Sequence, residues 1–554
     1  MRSNSFARLS IILALMASPA AAQTSMLYEV PLQERIDEAD LVFEGRVQAQ
    51  ESFWNEDRTL IFTSSAVDVY RLFKGRVVAE RVEVVTPGGR VGLIAQLVEP
   101  SLHLQPGDVG LFLVAGADEH GGLGKSNVSG RFVPVASVQG MVRYDEIRGI
   151  ANDVFTTYGD IERDLHAAVA EHTGAPAVLT HYDVPVPAGR RVAKTGLVPS
   201  IASISPGTLT AGTNTVLTIS GSGFEAYDGG TNSRVFFPNA DDGGSSLINA
   251  PAGLVSMWTD TEIQVRVPTR AGTGTVTVQT ASAQQATSST SLTIDYNLIG
   301  LPFSGDLWRT SLAAKSAGGG YSMRMSTSTS DGGASFAGSP AVAPFERALL
   351  TWQQITGLNI QADGADIDSS RIAPNSDNDI ITFENDATPL PSGVLGRAFS
   401  GFISCDGQTW IVQGIDLQFR RDGNSVTWNW GPDANSGNRA DFESVALHEL
   451  GHAHQLGHII APGKVMHYAL TNGTDVRVLN ADSDIAGGND ALDFVQRLNT
   501  FCGGRMWTGM QRLVGVGVED DVARGGYELS GPYPNPASQN ASFTVRVDRN
   551  ESVR

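Results

Sequence analysis

The sequence predicts a multidomain chain in which two β-rich units precede an α+β unit. Three observations lead there. At 554 residues the chain is several times longer than the 100–200 residues one core usually serves. Its 61 glycines and many Ser/Thr-rich runs punctuate short apolar stretches over the first half, the pattern of strands and turns. Beyond Gly300 apolar residues at helical spacing appear from Pro344 to Ile355, alongside further strand candidates. A formal net charge of −20 argues against nucleic acid as the main partner, since phosphate binding needs a basic face.

Residues 1–22 read as a secretory signal peptide. Arg2 and Arg8 supply the positive start, Leu9 to Ala17 the apolar core, and Ala20-Ala21-Ala22 a small-residue cleavage site. The apolar run is too short to span a bilayer as a helix, and no later stretch reads as transmembrane. The mature chain is expected to begin at Gln23 in an oxidising compartment. Its two cysteines, Cys405 and Cys502, are therefore candidates for one disulfide.

Residues 23–172 form the β-rich N-terminal domain. Leu41–Val47, Ala66–Tyr70, Val82–Val85 and Val109–Val114 alternate as strands, with turns at Pro87-Gly88-Gly89 and Pro106-Gly107-Asp108. Tyr158 to Glu171 reads as a closing helix, and the unit as a small barrel. Its histidines (His103, His120, His166, His172) are dispersed and make no catalytic set. Inhibition, substrate docking and packing all remain open as its role. Residues 173–197, with Pro176, Pro185 and Pro187, read as a linker. From 198 to 296 the pattern is short β runs: Ile201–Pro206, Thr215–Phe224, Glu262–Pro268 and Gly274–Val278.

The α+β unit spans 300–510. After the helix at 344–355 come strands at Asn359–Gln361, Asp379–Phe383 and Gly414–Phe419, and Gly393–Ala398 reads as an edge strand for pairing with an extended peptide. The acids Asp363/Asp366/Asp368, Asp377/Asp379 and Asp433/Asn435 offer oxygen ligands suited to Ca2+, without a full loop signature; solvated loop acids are the plainer account. Asp482 to Asn499 reads as a terminal helix. Residues 511–528 are a second linker.

The chemistry concentrates in one stretch. Five of the ten histidines (His448, His452, His454, His458, His467) lie between 448 and 467. Asp441 to Leu447 reads as an amphipathic helix with acidic residues in its first turn. On its continuation His448 and His452 are four apart and share one face. That spacing suits two ligands of one zinc ion, with Glu449 between them to polarise water. His458, after a Gly-containing turn, is placed to return a third imidazole. Three nitrogens and one open position describe a catalytic zinc site. A scheme with a downstream glutamate as third ligand lacks its residue, because the next one is Glu519. Asp475, Asp482 and Asp484 are less well placed than His458. His454 would point to another face and reads as solvent-facing or cleft-lining.

His448-Glu449-x-x-His452-x-x-x-x-x-His458 with Met466 eight residues on resembles the metzincin metallopeptidases, and the short gap to the methionine resembles their matrixin branch. The resemblance implies that His448, His452 and His458 bind zinc, that Glu449 is the general base and that Met466 forms a Met-turn beneath the metal. There are two departures. Where the family has a glycine between the second and third histidines, this chain has Gln455; a non-glycine there at positive φ costs roughly 1–2 kcal/mol unless the turn is rebuilt around Gly457. Met466-His467-Tyr468 is similar instead to the Met-x-Tyr of astacins and serralysins, which makes Tyr468 a candidate to stabilise the tetrahedral oxyanion. Neither cysteine lies upstream of the catalytic region at 300–510, so no propeptide thiol of the matrixin type is expected.

Residues 198–296 resemble an IPT/TIG immunoglobulin-like domain through Ile201-x-x-Ile204-x-Pro206 and Gly221-x-Gly223-Phe224, with spacer or surface-binding roles both open. Tyr533-Pro534-Asn535-Pro536 followed by the alternating Ser542–Val547 resembles the start of a type IX secretion sorting domain, shortened within 529–554. The fold class that follows is a β-rich N-terminal domain, an all-β Ig-like sandwich and an α+β metzincin-like catalytic domain. The expected protein is a secreted or cell-surface bacterial zinc endopeptidase acting on protein or peptide substrates. The competing reading is a non-catalytic surface adhesin with an inactive protease fold. The intact His448/Glu449/His452/His458 set argues against it.

Overall fold

The computed structural model describes residues 27–513 except 78–79, 118–130, 147, 175–176, 180–197, 424 and 471–472, together with the backbone of 527–533 and 542–547. The leader at 1–22, His120, most of both linkers and Pro534 to Ala537 of the tail lie outside the described residues. The two tail strands Tyr527–Tyr533 and Ser542–Val547 pair antiparallel.

The N-terminal strands close on themselves. Leu41–Trp54, Ile61–Lys74, Arg81–Pro87, Arg131–Pro134 and Val109–Gly116 pair in that order, and the last pairs back onto the first. Ring closure leaves no open edge, and Phe43 stacks on Phe112 at 5.1 Å inside it. The expected closing helix is observed over residues 161–173 in two pieces, Ile161–His166 as a wide turn and Ala167–Thr173 as α-helix, with Ile161, Leu165 and Val169 buried. Between Arg81–Pro87 and Val109–Gly116 the chain leaves the barrel as a hairpin, Gly89–Val91 with Ile94–Glu99.

The next unit is a sandwich. One sheet holds Ser200–Ser205, Val216–Ser222, Glu262–Arg266 and Val255–Trp258; the other is built around Gln285–Leu298, Gly274–Gln279 and Arg234–Pro238. Alternating residues of both, among them Ile219, Phe237, Val265 and Val276, fill the space between. Its last strand runs on beyond the sandwich, and Asn297 and Leu298 pair with Gly457 and Leu456 of the following unit.

In that C-terminal unit the sheet order is Ile360–Ile367, Tyr321–Ser326, Asp379–Phe383, Trp410–Phe419 and Gly396–Ser404, the last antiparallel to its neighbour. Helices Val342–Thr356 and Phe442–Ala453 pack together, with Trp352 Nε1 donating to Leu447 O at 2.8 Å. Phe336, Phe345, Phe419 and Phe442 fill the core beneath. Two boundaries differ from expectation. The terminal helix is shorter, Ala486–Val495 after a wide turn at Ala481–Ile485, because Asn499–Cys502 turns into a hairpin held to Cys405 by the Cys405–Cys502 disulfide. The edge strand lies at Gly396–Ser404 rather than 393–398.

That strand is not an open edge. Ile94–Glu99, the hairpin from the barrel, pairs antiparallel along it from Ile403↔Ile94 to Ala398↔Glu99. Upstream, Tyr28 N donates to Gly393 O at 2.8 Å. The N-terminal domain therefore lies along this edge strand of the C-terminal unit.

Candidate metal centre

The helix Phe442–Ala453 begins where the sequence places it. Asp441 is its N-cap, accepting from Ser444 N at 3.0 Å and Ser444 Oγ at 2.6 Å, which satisfies one of the open N–H groups of the first turn. Glu443 in that turn pairs with Arg347 Nε at 2.7 Å. Every residue of the helix is buried, so its imidazoles face protein on all sides.

The helix ends at Gln455, which takes the left-handed conformation itself (φ 71°). The strain is thus carried by the glutamine and not moved to Gly457. What holds it is contact with the segment leaving the sandwich: Ile299 N donates to Gln455 O at 3.0 Å and Thr310 Oγ1 to Gln455 Oε1 at 2.9 Å. Two bonds of about 1 kcal/mol each are the right size to offset a left-handed penalty of 1–2 kcal/mol. Reversal there brings His458 back over the helix.

The three imidazoles then converge. His448 Nδ1 donates to Val465 O (2.6 Å), His452 Nδ1 to Leu456 O (2.9 Å) and His458 Nδ1 to Asp241 Oδ1 (3.0 Å). With each Nδ1–H engaged, the Nε2 lone pairs face one another, and those of His452 and His458 are 3.2 Å apart. Two nitrogens bound tetrahedrally at 2.0–2.1 Å from one zinc would be about 3.3 Å apart. One ligand atom from each histidine lies within 4.8 Å of the others. His448 Nε2 has no hydrogen-bond partner although buried. Burial first, and then the neighbouring imidazoles, hold His448 well below its ordinary range and His452 at about 3. Three neutral, inward-facing, buried lone pairs fit a zinc ion and would otherwise be a costly arrangement.

Glu449 lies beside them, fully buried, and among the described residues neither carboxylate oxygen has a side-chain hydrogen-bond partner. Burial raises it well above the usual carboxylate range, with Arg397 opposing and Glu99 adding to the rise. The rim strand passes directly over it: a Cβ on Gly396 would sit 2.8 Å from Glu449 Oε1. Met466 is under the helix, where a Cβ on Gly451 would run into its sulfur. Asp484 Oδ1 accepts from Met466 N at 3.3 Å and fixes that turn.

Other sequence-selected residues fall elsewhere. His454 is neither solvent-facing nor cleft-lining: it is buried edge-on against Trp352 at 5.1 Å, and burial drives it to about 3. The helix is covered on that side by Ala486–Val495, whose Gly488 leaves room for the ring. Tyr468 lies against the sandwich, where a Cβ on Gly243 would collide with its hydroxyl, and its ring packs on His467 at 4.5 Å. The stretch from Ile459 to Leu470 borders a cavity of about 540 Å3 whose walls include Ile460, His467, Leu470 and Val476. Of the acids considered for Ca2+, Asp379 pairs with Lys315 Nζ at 2.8 Å and Asp363 accepts from Ser322 Oγ at 2.6 Å. Among the described residues, the one other convergent acidic set is Glu99 and Asp241 with His458.

Asp241, Glu99 and Arg397 were not legible as site residues. Asp241 sits in Asn239-Ala240-Asp241-Asp242-Gly243, which reads as an ordinary turn, and Glu99 ends a strand of a different domain. Only the three-dimensional pairing of the units brings them to the histidines.

The family model for Matrixin matches residues 324–490, and that for the IPT/TIG domain matches residues 199–296. The C-terminal unit is thus matrixin-like, and the sandwich matches an IPT/TIG module. No curated protein matches the chain. Among solved structures, an auxiliary nutrient binding protein from Bacteroides thetaiotaomicron VPI-5482 is similar at 13% identity over 18% of this chain and 22% of that one, with a TM-score of 0.15. The chain spans under a quarter of that protein, and the likeness carries no argument about fold or function.

Proposed function

We propose that the chain is an exported zinc endopeptidase whose ligands are His448, His452 and His458 and whose general base is Glu449. The observation that carries this is the convergence of three buried imidazole nitrogens beside a buried carboxylate that has no side-chain partner among the described residues. The Matrixin match supports it. Zinc bound there supplies Lewis acidity, polarising a peptide carbonyl and making a water acidic enough to attack at neutral pH. Glu449, raised by its burial, is poised to accept the attacking water's proton and to return it to the leaving amine. Arg397, buried and drawn down to about 10 by that burial, offers Glu449 a positive neighbour in its ionised form. An extended substrate would pair with Gly396–Ser404, the strand that Ile94–Glu99 occupies here, so the full chain is read as a covered enzyme. Export rests on the leader-like residues 1–22 and the Tyr-Pro-Asn-Pro run.

The test removes cover and base separately. Val98 is buried against Ile372, Ile380 and Phe399, so Val98→Asp should loosen the inserted strand. In that background Glu449→Ala should retain one zinc per chain while cleavage of an unfolded protein falls by about 10²–10⁴. Equal cleavage by both would remove Glu449 from the chemistry; a chain that takes up no zinc would remove the metal.

A further inference from the structure

We propose that the IPT/TIG module is a working part of the metal centre, in which Asp241 is the positioning residue for the third ligand, His458. The inference rests on the zinc reading above and adds to it a residue from a different domain.

The three histidines are not held alike. His448 and His452 stand on a helix, and their Nδ1–H groups donate to backbone carbonyls of their own unit, Val465 O and Leu456 O. His458 is past the end of the helix, where no helical backbone fixes its ring. Its Nδ1–H donates at 3.0 Å to a carboxylate 217 residues away in sequence. A ligand imidazole depends on its second nitrogen's partner for tautomer and orientation, and a carboxylate partner also makes the metal-facing nitrogen a stronger donor.

Asp241 is built for the task. It lies in the single turn Ala240–Asp242, which Asn239 caps. Its other oxygen takes Arg270 Nε, so both carboxylate oxygens are engaged while the residue is 4% exposed. Asp242 next to it is also buried but turns to Ser246 and Asn239 and leaves His458 alone. The module grips the same loop by its backbone: Asn297 Nδ2 donates to His458 O at 3.3 Å, and Asn297 Oδ1 accepts from Arg270 N at 3.1 Å. One short network thus runs from Arg270 through Asp241 to the imidazole and from Arg270 through Asn297 to its backbone. A module acting as a spacer would have no need to place a satisfied buried carboxylate on a ligand.

The experiment compares Asp241→Asn with Asp242→Asn in the full chain, below the melting temperature of either. Zinc dissociation constants are measured by chelator competition, and visible spectra are recorded after loading with Co2+. Asp241→Asn should weaken zinc by about 10–100-fold and change the Co2+ spectrum, whereas Asp242→Asn should stay within about twofold. If Asp241→Asn does not fold, Arg270→Lys, which keeps the charge but not the guanidinium fork, replaces it and should weaken zinc several-fold. Equal weakening by Asp241→Asn and Asp242→Asn, or unchanged affinity in Asp241→Asn or its replacement, overturns the proposal. If the unsubstituted chain itself holds no zinc, the metal reading falls and the proposal falls with it, a result distinct from the others.

Discussion

Two carboxylates reach the histidine cluster from outside the C-terminal unit, and they are held in opposite ways. Asp241 comes from the IPT/TIG module with both oxygens engaged, one by His458 and the other by Arg270. Glu99 comes from the N-terminal domain at the end of an inserted strand; its Oε1 meets His103 Nε2 at 3.2 Å, and its Oε2 has no partner. Burial alone would raise Asp241, yet Arg270 and then His458 hold it well below its ordinary range. A satisfied buried carboxylate is a fixture of the fold, while an under-satisfied one is costly and is kept in place by something else. For Glu99 that something is the ladder between Ile94–Glu99 and Ala398–Ile403. On the account proposed above, one neighbouring domain builds the site and the other covers it.

Matched substitutions on the two carboxylates test this contrast. The largest separation is expected in zinc affinity: Asp241→Asn should cost about 10–100-fold, while Glu99→Gln should leave zinc affinity within about twofold. A comparable loss from Glu99→Gln would make the cover a builder as well. A smaller effect is expected in cleavage, where Glu99→Gln should raise the initial rate on an unfolded protein about three- to tenfold by removing a charge from the covered cleft, with the ladder left in place. Assays at equal enzyme and zinc concentration decide it, and an unchanged rate would leave the strand backbone as the whole of the cover. The smallest effect is expected from Tyr468→Phe. With its hydroxyl resting on Gly243, kcat should change by less than about threefold; a tenfold fall at constant KM would place that hydroxyl on the oxyanion instead.

The helix and its two clustered histidines could be read from sequence because their determinants are local. A helix starting near Asp441 and His448 and His452 at a spacing of four need only acidic residues at its start and the helical repeat. The same holds for Asp379–Phe383, whose apolar run coincides with the observed strand. The turn at Gln455 could be posed but not decided, since the bonds that hold it come from Ile299 and Thr310. His454 was misplaced for a related reason: helical phase puts it off the ligand face, but only the packing of Ala486–Val495 shows that this other face is buried too. Asp241 and Glu99 left no trace, because each reaches the cluster through contacts more than 200 residues away in the chain, and a turn aspartate or strand-end glutamate is unremarkable where it stands.

The most direct test of a site built on one side and covered on the other is the rate at which an unfolded protein is cleaved by the unsubstituted chain and by Val98→Asp, with zinc determined on both. One zinc per chain in each, and a rate about 10–100-fold higher in Val98→Asp, is the expected result, since an unpaired charge among Ile372, Ile380 and Phe399 should weaken the strand's docking by roughly 1–3 kcal/mol. Equal rates with zinc fully bound in both would contradict it, because the rim strand would then already be open to substrate.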